Sequence, residues 1–279
     1  MTTIAIALSN AKQIIDPIDA RVLLQHVLNV DRAYLIAHGT STLAPDKIER
    51  YTQLVARRQQ GEPVAYLVGQ REFYGLTFKV TPAVLIPRPE TELIVEQALA
   101  RLSEHVPSQV LDLGTGSGAI AIAIANHRPL AKIVAVDHSP NALAIARENA
   151  ATLLCDRRSA IDFRISYWFS AVANEHFDII VSNPPYVANN DPHLDKGDVR
   201  FEPKIALAGG PHGLDFLEHI ARNAAPRLAP GGWLLMEHGY DQGDACESLM
   251  REYDYREVRC FADLAGIPRV TAGKQILIR

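Results

Sequence analysis

From about residue 91 onward, short apolar stretches alternate with segments of helical periodicity. The apolar stretches are typical of strands buried on both faces, and they comprise Val110–Leu113, Ile133–Val136, Ile161–Ile165, Phe177–Val181 and Gly232–Glu237. Helices fit before and between them at Glu90–Leu102, Ala119–Asn126, Ala142–Thr152, Leu214–Leu228 and Gln242–Tyr253. The pattern therefore predicts an α/β fold in which helices cover both faces of an open sheet.

The last two predicted strands lie near Tyr255–Cys260 and Gln275–Ile278, and the loop between them shows no helical periodicity. Parallel neighbours need a long crossover connection, usually a helix, whereas antiparallel strands can follow one another directly. We therefore expect an antiparallel terminal pair, which a purely parallel dinucleotide-binding sheet lacks.

Residues 1–72 show helical periodicity and no strand pattern. Leu23, Leu24 and Val27 recur at the spacing of one helix face, and a second face forms around Leu54. The sequence therefore predicts a small N-terminal helical domain over residues 1–72.

Residues 73–90 change character again. Phe73–Val80 is rich in aromatic and β-branched residues that alternate, and Val84–Ile86 forms a second short apolar stretch. Prolines make the exit from this segment stiff and extended. We expect a β-hairpin linker over residues 73–90, followed by the α/β domain over residues 91–279.

Composition limits the classes of partner. The chain has 279 residues, of which 48% are hydrophobic, enough for a large core. Its net charge of −4 argues against nonspecific binding to a nucleic-acid backbone. The cysteines Cys155, Cys246 and Cys260 form no CxxC pair, the histidines show no metal-ligand spacing, and no apolar run approaches the roughly 18 residues of a membrane span. We expect a soluble, cytoplasmic protein with reduced thiols, without metal and without membrane or direct nucleic-acid partners.

A glycine-rich loop, Gly114-Thr115-Gly116-Ser117-Gly118, runs from the first strand of the α/β domain into its helix. Glycines let the backbone turn tightly and approach a ligand, and the helix start offers free N–H groups. Because ligands of open α/β sheets bind at the carboxyl ends of the strands, the loop predicts a nucleotide-like cofactor. Gly114, Gly116 and Ala119 also satisfy the loose dinucleotide pattern, so S-adenosylmethionine and a dinucleotide both remain open at this point.

Two acidic residues lie beside this loop. Asp137 ends the second strand, where the ribose diol of either cofactor class needs a carboxylate, and Asp112 lies just before the glycines. Each could instead have a purely structural role. Asp137 is also placed to cap the helix that begins at Pro140, and Asp112 to orient the loop backbone without binding a ligand.

Asn183-Pro184-Pro185-Tyr186 follows the buried strand that begins at Phe177. An amide or aromatic amino nitrogen is a poor nucleophile, and acceptors for its N–H groups are needed to orient its lone pair. The Asn183 side-chain oxygen and the Pro184 carbonyl supply two acceptors, and Tyr186 can pack against a flat group. The motif, coupled to the glycine loop, predicts methylation of a planar nitrogen from S-adenosylmethionine. Without that chemistry, the same residues would form a tight turn that closes a strand.

The sequence resembles the peptide chain release factor glutamine methyltransferases (the PrmC/HemK family) over nearly its whole length. The most specific stretches are Gly61–Leu67, Arg71–Gly75, Leu85–Glu92 and Ala265–Val270, together with the glycine loop and Ser182–Tyr186. The resemblance implies a Rossmann-like class I methyltransferase sheet and methylation of the glutamine side-chain amide in the Gly-Gly-Gln motif of class I release factors, in support of translation termination.

By the same resemblance, the cofactor S-adenosylmethionine contacts Gly114, Thr115, Gly116, Ser117, Gly118, Asp137, Trp168 and Asn183. The glutamine is held by Asn183, Pro184, Pro185 and Tyr186, of which Asn183, Pro184 and Tyr186 are the candidate catalytic residues. The family usually has an acidic residue where this chain has Tyr167, so the adenine amino group must be satisfied in another way.

The helical domain is expected to hold the body of the release factor, since one flat amide supplies little binding energy; a domain that only shields the sheet would also fit the pattern. A DNA adenine or cytosine amino methyltransferase uses the same Asn-Pro-Pro-Tyr chemistry on a flipped base, but the acidic balance and short loops disfavour it. The glycine loop by itself would also fit a nicotinamide-dependent oxidoreductase. A non-catalytic scaffold that binds the cofactor is a third class of protein, which the intact acceptor pair at Asn183 disfavours.

Overall fold

The computed structural model describes residues 1–155 and 161–276 of the protein. The chain divides into two compact units, the first made of Met1–Gln70 with Lys196–Phe201 and the second of Arg71–Asp195 with Glu202–Arg279. The helices of the first unit are α1 (Ile4–Ala11), α2 (Pro17–Leu28), α3 (Arg32–Ala37), α4 (Pro45–Gln59) and α5 (Val64–Val68).

Local signals explain where the helices of the first unit begin. The side chains of Thr3, Asp16 and Asp31 accept hydrogen bonds from the first turns of α1, α2 and α3, satisfying N–H groups that lack a helical partner. The helices bury a shared apolar core in which α2 contributes Leu23 and Leu24. The buried hydroxyl of Tyr51 on α4 donates to the Ala20 carbonyl at 2.9 Å, so the unit has a defined helix packing.

The segment Lys196–Phe201 belongs to the helical unit although it lies far along the chain. Arg58 connects it to α2, because its guanidinium contacts Asp198 Oδ1 at 2.7 Å and Asp19 Oδ2 at 2.6 Å. Arg200 donates to the Gln60 carbonyl. Arg58 is therefore engaged inside the unit and is not a free surface cation.

The linker hairpin is shorter than the sequence predicts. Strands β1 (Gln70–Phe73) and β2 (Leu76–Lys79) pair around Tyr74 and Gly75, whose φ angles of 51° and 74° give the two-residue turn that matches strand twist. The second apolar stretch, Val84–Ile86, is not a strand. Its Val84 and Ile86 side chains are instead buried within the second unit, which explains why they are apolar.

The second unit is built on an open sheet, and the predicted α/β fold is confirmed. Its strands are β3 (Gln109–Leu113), β4 (Lys132–Asp137), β5 (Ile161–Ile165), β6 (Phe177–Ser182), β7 (Leu228–Glu237), β8 (Arg256–Ala262) and β9 (Pro268–Lys274). Its helices are α6 (Glu92–Leu99), α7 (Ala119–His127), α8 (Pro140–Leu153), α9 (Asp215–Ala224) and α10 (Gly243–Glu252). The strand order in the described residues is β5-β4-β3-β6-β7-β9-β8.

Strands β3 to β7 are parallel, and β9 runs antiparallel to both β7 and β8. The expected antiparallel pair is therefore present, but the predicted position of the last strand is wrong. It spans Pro268–Lys274, whereas the predicted Gln275–Ile278 extends into residues 277–279, outside the described part of the chain. The apolar pattern of a strand is interrupted at Gly273. A glycine is required there, because a side chain would lie 2.8 Å from the Met250 sulfur.

Alternation along the central strands places apolar side chains on both faces of the sheet. On β6, Ile179 and Val181 pack in one core with α6 and α7, while Ile180 packs in the other with α9 and α10. The strand order reverses at β3, so the loops after β3 and β6 are neighbours at the carboxyl edge. Among the described helices, none has the length and hydropathy of a membrane-spanning segment.

Candidate active site

The loop after β3 leaves its ligand-facing side open. Gly114 and Gly116 have φ angles of 73° and 56°, and apart from the adjacent residues no atom of the described chain lies within 4 Å of where a side chain would begin. The N–H groups of Gly114 and Thr115 donate to the Val136 carbonyl at 2.9 and 3.0 Å, which ties the loop to the end of β4. The glycines are therefore required for a left-handed backbone, and the space they leave is available to a ligand.

Asp112 supports this loop from inside the sheet. It is fully buried, and its Oδ2 accepts from the Thr115 hydroxyl at 2.7 Å and from the Ala121 N–H at 3.2 Å. Burial raises its pKa to about 7, an effect that these two hydrogen bonds partly offset. The contacts support the orienting role of Asp112, since they hold the loop against the first turn of α7.

Asp137 ends β4 beside the glycine loop and lines the cavity described below. Its carboxylate accepts from the Gly116 N–H at 2.9 Å and from the Ser139 N–H at 2.8 Å, and burial raises its pKa. Helix α8 is capped by Ser139, whose side chain accepts from the Ala142 N–H. Asp137 therefore does not cap this helix, and each oxygen retains capacity for a further donor.

A cavity of about 350 Å³ opens at the carboxyl ends of β3, β4 and β6. Six of the predicted site residues line it: Gly114, Gly116, Asp137, Trp168, Asn183 and Pro185. The linker stretch Pro82–Leu85 lines it as well, which the sequence did not predict. Ligand pockets start at about 300 Å³, so the cavity is of a size that suits a nucleotide-like molecule.

The remaining predicted residues lie beside the cavity and not among its lining residues: Thr115, Ser117, Gly118, Pro184 and Tyr186. Several have structural partners. The Ser117 carbonyl accepts from the Asn149 side chain at 2.9 Å, and a side chain at Gly118 would lie 2.8 Å from Ile122 Cδ1. Gly118 therefore permits α7 to pack closely, in addition to any contact with a cofactor.

One side of the cavity is aromatic. Trp168, which has a positive φ of 50°, packs against Phe216 with ring centroids 5.1 Å apart. Tyr167 is exposed and meets His138 edge-on at 5.8 Å. The sequence did not predict that Phe216 and His138 line the cavity. For His138 a signal exists, because it directly follows Asp137 at the end of a strand.

The Asn183 loop is fixed to the sheet and to the start of the α/β domain. The buried Ser182 hydroxyl donates to the Leu113 carbonyl at 2.8 Å. The Asn183 side-chain nitrogen donates to the Thr91 hydroxyl oxygen at 3.1 Å. These two hydrogen bonds hold in place the loop from which Asn183 lines the cavity.

A second loop, which contains Leu207 and Gly209, contacts the segment that follows Asn183. The Val187 N–H donates to the Leu207 carbonyl at 3.0 Å, and the Gly209 N–H to the Val187 carbonyl at 2.8 Å. A side chain at Gly209 would meet the Pro185 carbonyl oxygen and lie 2.8 Å from Tyr186 Cα. The backbone of the Pro185–Tyr186 pair is therefore held by direct contact with a glycine.

Glu237, at the end of β7, contacts the Asn183 loop. It is 1% exposed, and its Oε1 accepts from the Tyr186 hydroxyl at 3.2 Å. Burial raises its pKa to about 7, while the Thr91 and Tyr186 hydroxyls lower it; Oε2 has no hydrogen-bond partner among the described residues. Its position at a strand end near the site was visible in the sequence, but its partners were not.

The donor set fits S-adenosylmethionine better than a metal. Asp137 offers a carboxylate for a ribose diol, and Trp168 offers an apolar surface for a base. Gly114 and Gly116 leave backbone groups open to the amino-acid end of the cofactor. Within the described residues, no three His, Cys, Asp or Glu side chains cluster so as to hold a metal ion.

Comparisons with known proteins show the family to which the chain is similar. Family models described as "PrmC N-terminal domain" and "Methyltransferase small domain" match residues 2–69 and 91–198. The release factor glutamine methyltransferase of Escherichia coli (strain K12) is 45% identical over 256 residues, covering 92% of this chain and 91% of that protein. Its counterpart in Xylella fastidiosa (strain Temecula1) is 48% identical over 267 residues, covering 96% of each.

Solved structures share the fold. A methyltransferase from Pyrococcus furiosus aligns with a TM-score of 0.56 and 18% identity, covering 81% of this chain and 100% of that one. The Thermus thermophilus 16S rRNA N2 G1207 methyltransferase, solved with AdoMet and guanosine, gives 0.54 and 21%, covering 74% of this chain and 49% of that one.

Proposed function

This chain belongs to the release factor glutamine methyltransferase family, and we propose that its active site is the cavity between the Gly114 loop and the Asn183 loop. It is an S-adenosylmethionine-dependent protein-(glutamine-N5) methyltransferase with a Rossmann-like fold, not a DNA amino methyltransferase. One observation carries the assignment of the site: the two loops follow adjacent parallel strands, and both line the same cavity.

The cofactor is assigned to the β3 and β4 side of the cavity. S-adenosylmethionine supplies an electrophilic methyl group on a sulfonium that leaves as a neutral thioether. We assign Asp137 to its ribose, Trp168 to its adenine, and the backbone from Gly114 to Gly118 to its amino-acid end. The burial of Asp137 and the open side of Gly114 and Gly116 support this assignment. No protein group has to protonate the leaving thioether.

The glutamine amide is assigned to Asn183-Pro184-Pro185-Tyr186. Asn183 Oδ1 and the Pro184 carbonyl accept its two N–H groups and hold the nitrogen lone pair in line for transfer, while Tyr186 and Pro185 bound the flat amide. The rigid support of this loop by Ser182, Thr91 and Gly209 favours catalysis by orientation. After transfer the amide nitrogen carries a positive charge, and it releases one proton to water to restore the neutral amide.

The protein substrate is assigned to the class I release factors, and the methylated residue to the glutamine of their Gly-Gly-Gln motif. The names of the relatives, which match over 92% and 96% of this chain, support this. The test is to incubate the enzyme with labelled S-adenosylmethionine and either a purified release factor or plasmid DNA, and to map the modified residue by mass spectrometry. Label on DNA alone, or on a residue other than that glutamine, contradicts the assignment.

The helical domain is assigned to the body of the release factor. A groove of about 480 Å³ on this unit is lined by Lys12, Arg21 and Arg32 around apolar residues such as Ile18 and Ile36, and by no acidic residue. These two isoleucines are 59% and 72% exposed, so the groove offers apolar surface to a partner. The groove suits a protein surface that presents acidic groups around apolar side chains.

Charge reversal tests this role. Replacing Lys12, Arg21 and Arg32 together by Glu is expected to raise KM for the release factor at least tenfold and to leave turnover of a short Gly-Gly-Gln peptide unchanged. Lys47→Glu is the control, since Lys47 lies on α4 outside the groove lining. An unchanged KM would leave the helices with the role of shielding the sheet. We assign the enzyme to the cytoplasm, in keeping with its three free cysteines.

A further inference from the structure

We propose that Glu202 and Arg88 hold one wall of the cavity in place, and that Ile205 on this wall contacts the substrate beside its glutamine. The proposal rests on the proposed function and deepens it, because it assigns the residues that receive the chain around the methylated amide. Glu202 and Arg88 act as positioning residues, and Ile205 acts as a determinant of substrate affinity.

Two segments that lie far apart in the sequence form this wall. The linker stretch Pro82–Leu85 lines the cavity, and so do Pro203, Ile205 and Ala206. All of these residues are apolar. Because one flat amide supplies little binding energy, an apolar wall beside it gives the adjoining residues of a protein substrate a surface to contact.

Glu202 joins the two segments. Its Oε2 accepts from the Ile86 N–H at 3.1 Å, and its Oε1 accepts from the Arg88 guanidinium. The Glu202 side chain is fully buried, and a buried carboxylate needs partners of this kind. Separation of the segments would remove these partners from a buried charge, so the wall is held in one arrangement.

The wall is also attached to the Asn183 loop at both ends. On one side the Val187 N–H donates to the Leu207 carbonyl at 3.0 Å, and on the other the Asn183 side chain donates to the Thr91 hydroxyl oxygen at 3.1 Å. Together with the contacts of Glu202, these bonds close a ring of three segments. The wall is therefore fixed relative to the loop that is assigned to the glutamine.

Ile205 is the part of the wall that a substrate can reach from outside. It lines the cavity and is nevertheless 64% exposed. Its short helical turn is held by a hydrogen bond from the Ala206 N–H to the Pro203 carbonyl at 2.9 Å. A large aliphatic side chain in this place meets the part of a substrate that extends out of the cavity, and it suits uncharged residues next to the glutamine.

Glu202→Gln tests the positioning role. The glutamine oxygen can still accept from the Ile86 N–H, but the ion pair with Arg88 is lost. The wall is then less firmly held, so KM for a Gly-Gly-Gln peptide should rise about tenfold. The Kd for S-adenosylmethionine should stay within about twofold of wild type, because the cofactor loop is tied to β4 and not to this wall.

Asp263→Asn is the matched control, because Asp263 also combines an ion pair with a backbone contact. Its Oδ2 lies 3.2 Å from Arg269 Nε, and its Oδ1 accepts from the Ile267 N–H at 3.0 Å, in the turn between β8 and β9. It does not line the cavity. The control should leave KM for the peptide within about twofold of wild type.

Ile205→Ser tests the contact itself, and because Ile205 is exposed the change should not affect folding. KM for the peptide should rise about fivefold, as for one apolar contact residue of an interface, with no change in Kd for S-adenosylmethionine. In the double variant with Glu202→Gln, KM should exceed that of Glu202→Gln alone by less than about twofold, since a displaced wall no longer presents Ile205.

Multiplied effects in the double variant, wild-type KM in either single variant, or an equal rise in KM from Asp263→Asn would overturn the proposal. So would a Kd for S-adenosylmethionine that rises as much as KM, because the wall would then belong to the cofactor. If Glu202→Gln does not fold, KM and Kd of Ile205→Ser decide. Failure of the wild-type enzyme to methylate the glutamine would instead refute the proposed function.

Discussion

The hydroxyl of Ser182 donates to the backbone carbonyl of Leu113 at 2.8 Å, joining the last residue of β6 to the last residue of β3. The bond lies where the cofactor loop and the Asn183 loop begin. It therefore couples the positions of the two loops that have to bring methyl donor and acceptor together.

Ser182→Ala should lower the free energy of unfolding by about 1–3 kcal/mol, because it leaves the buried Leu113 carbonyl without this donor. Urea unfolding measures the loss. Ser248→Ala is the control, since Ser248 makes the same kind of bond to the Asp244 carbonyl, also at 2.8 Å, but on the exposed face of α10. Equal losses in the two variants would mean that burial of the Ser182 bond adds nothing.

Asn183→Ala should lower turnover about a hundredfold, by analogy with the loss of one preorganised polar group. Its Kd for S-adenosylmethionine, measured by calorimetry, should change little, because Gly114, Asp137 and Trp168 stay in place. Near-normal turnover would remove Asn183 from its proposed role.

Asp137→Ala should raise the Kd for S-adenosylmethionine about tenfold or more, because the ribose loses a carboxylate and the Gly116 N–H loses its acceptor. Asp178→Ala is the control, since Asp178 also accepts a backbone N–H, that of Gln109 at 2.7 Å, but at the opposite edge of the sheet. A Kd that both substitutions leave unchanged would exclude Asp137 as a ligand.

Asp112 should make stability depend on pH. Burial raises its pKa from 3.8 to about 7, so the folded protein retains a proton that the unfolded chain releases. Stability contributed by this group is therefore present at acidic pH and falls as pH rises from about 4 to about 7, by no more than about 4 kcal/mol. Urea unfolding at pH 5 and pH 8 should show a smaller fall for Asp112→Asn than for wild type. The same fall in both proteins would mean that Asp112 ionises normally.

Gly209→Ala should destabilise the protein and lower turnover, because the added methyl group meets the Pro185 carbonyl and lies 2.8 Å from Tyr186 Cα. Gly39→Ala is the control for stability, since its nearest neighbour would be 3.7 Å away. Thermal unfolding and turnover of a Gly-Gly-Gln peptide give the two readouts. A Gly209→Ala protein as stable and active as wild type would show that the contact with Pro185 and Tyr186 tolerates a methyl group.

The central sheet was predictable because Val110, Ile133 and Ile179 lie in strands buried on both faces, and such strands are mostly apolar. The last strand was not, because Gly273 has no side chain, which leaves room for Met250 and Tyr255 on and just after α10. A packing requirement of this kind leaves no local signal.

Site residues that stand in a sequence motif could be predicted. Residues that reach the site only because the chain folds could not. Asn183 and Asp137 stand in recognisable motifs at strand ends. Thr91 meets Asn183 from 92 positions away, and Glu237 meets Tyr186 from 51. Neither separation corresponds to a helix or strand period, so only the three-dimensional arrangement reveals them.

The helical unit is built from two separate parts of the chain, since Lys196–Phe201 is bound to it by Arg58 through Asp198. A protein that begins at residue 71 would keep this segment but lose its partner. Recombination at a single point between the domains would pair a segment from one parent with an arginine from another. Domain exchange among relatives built in this way therefore requires two stretches of sequence to be inherited together.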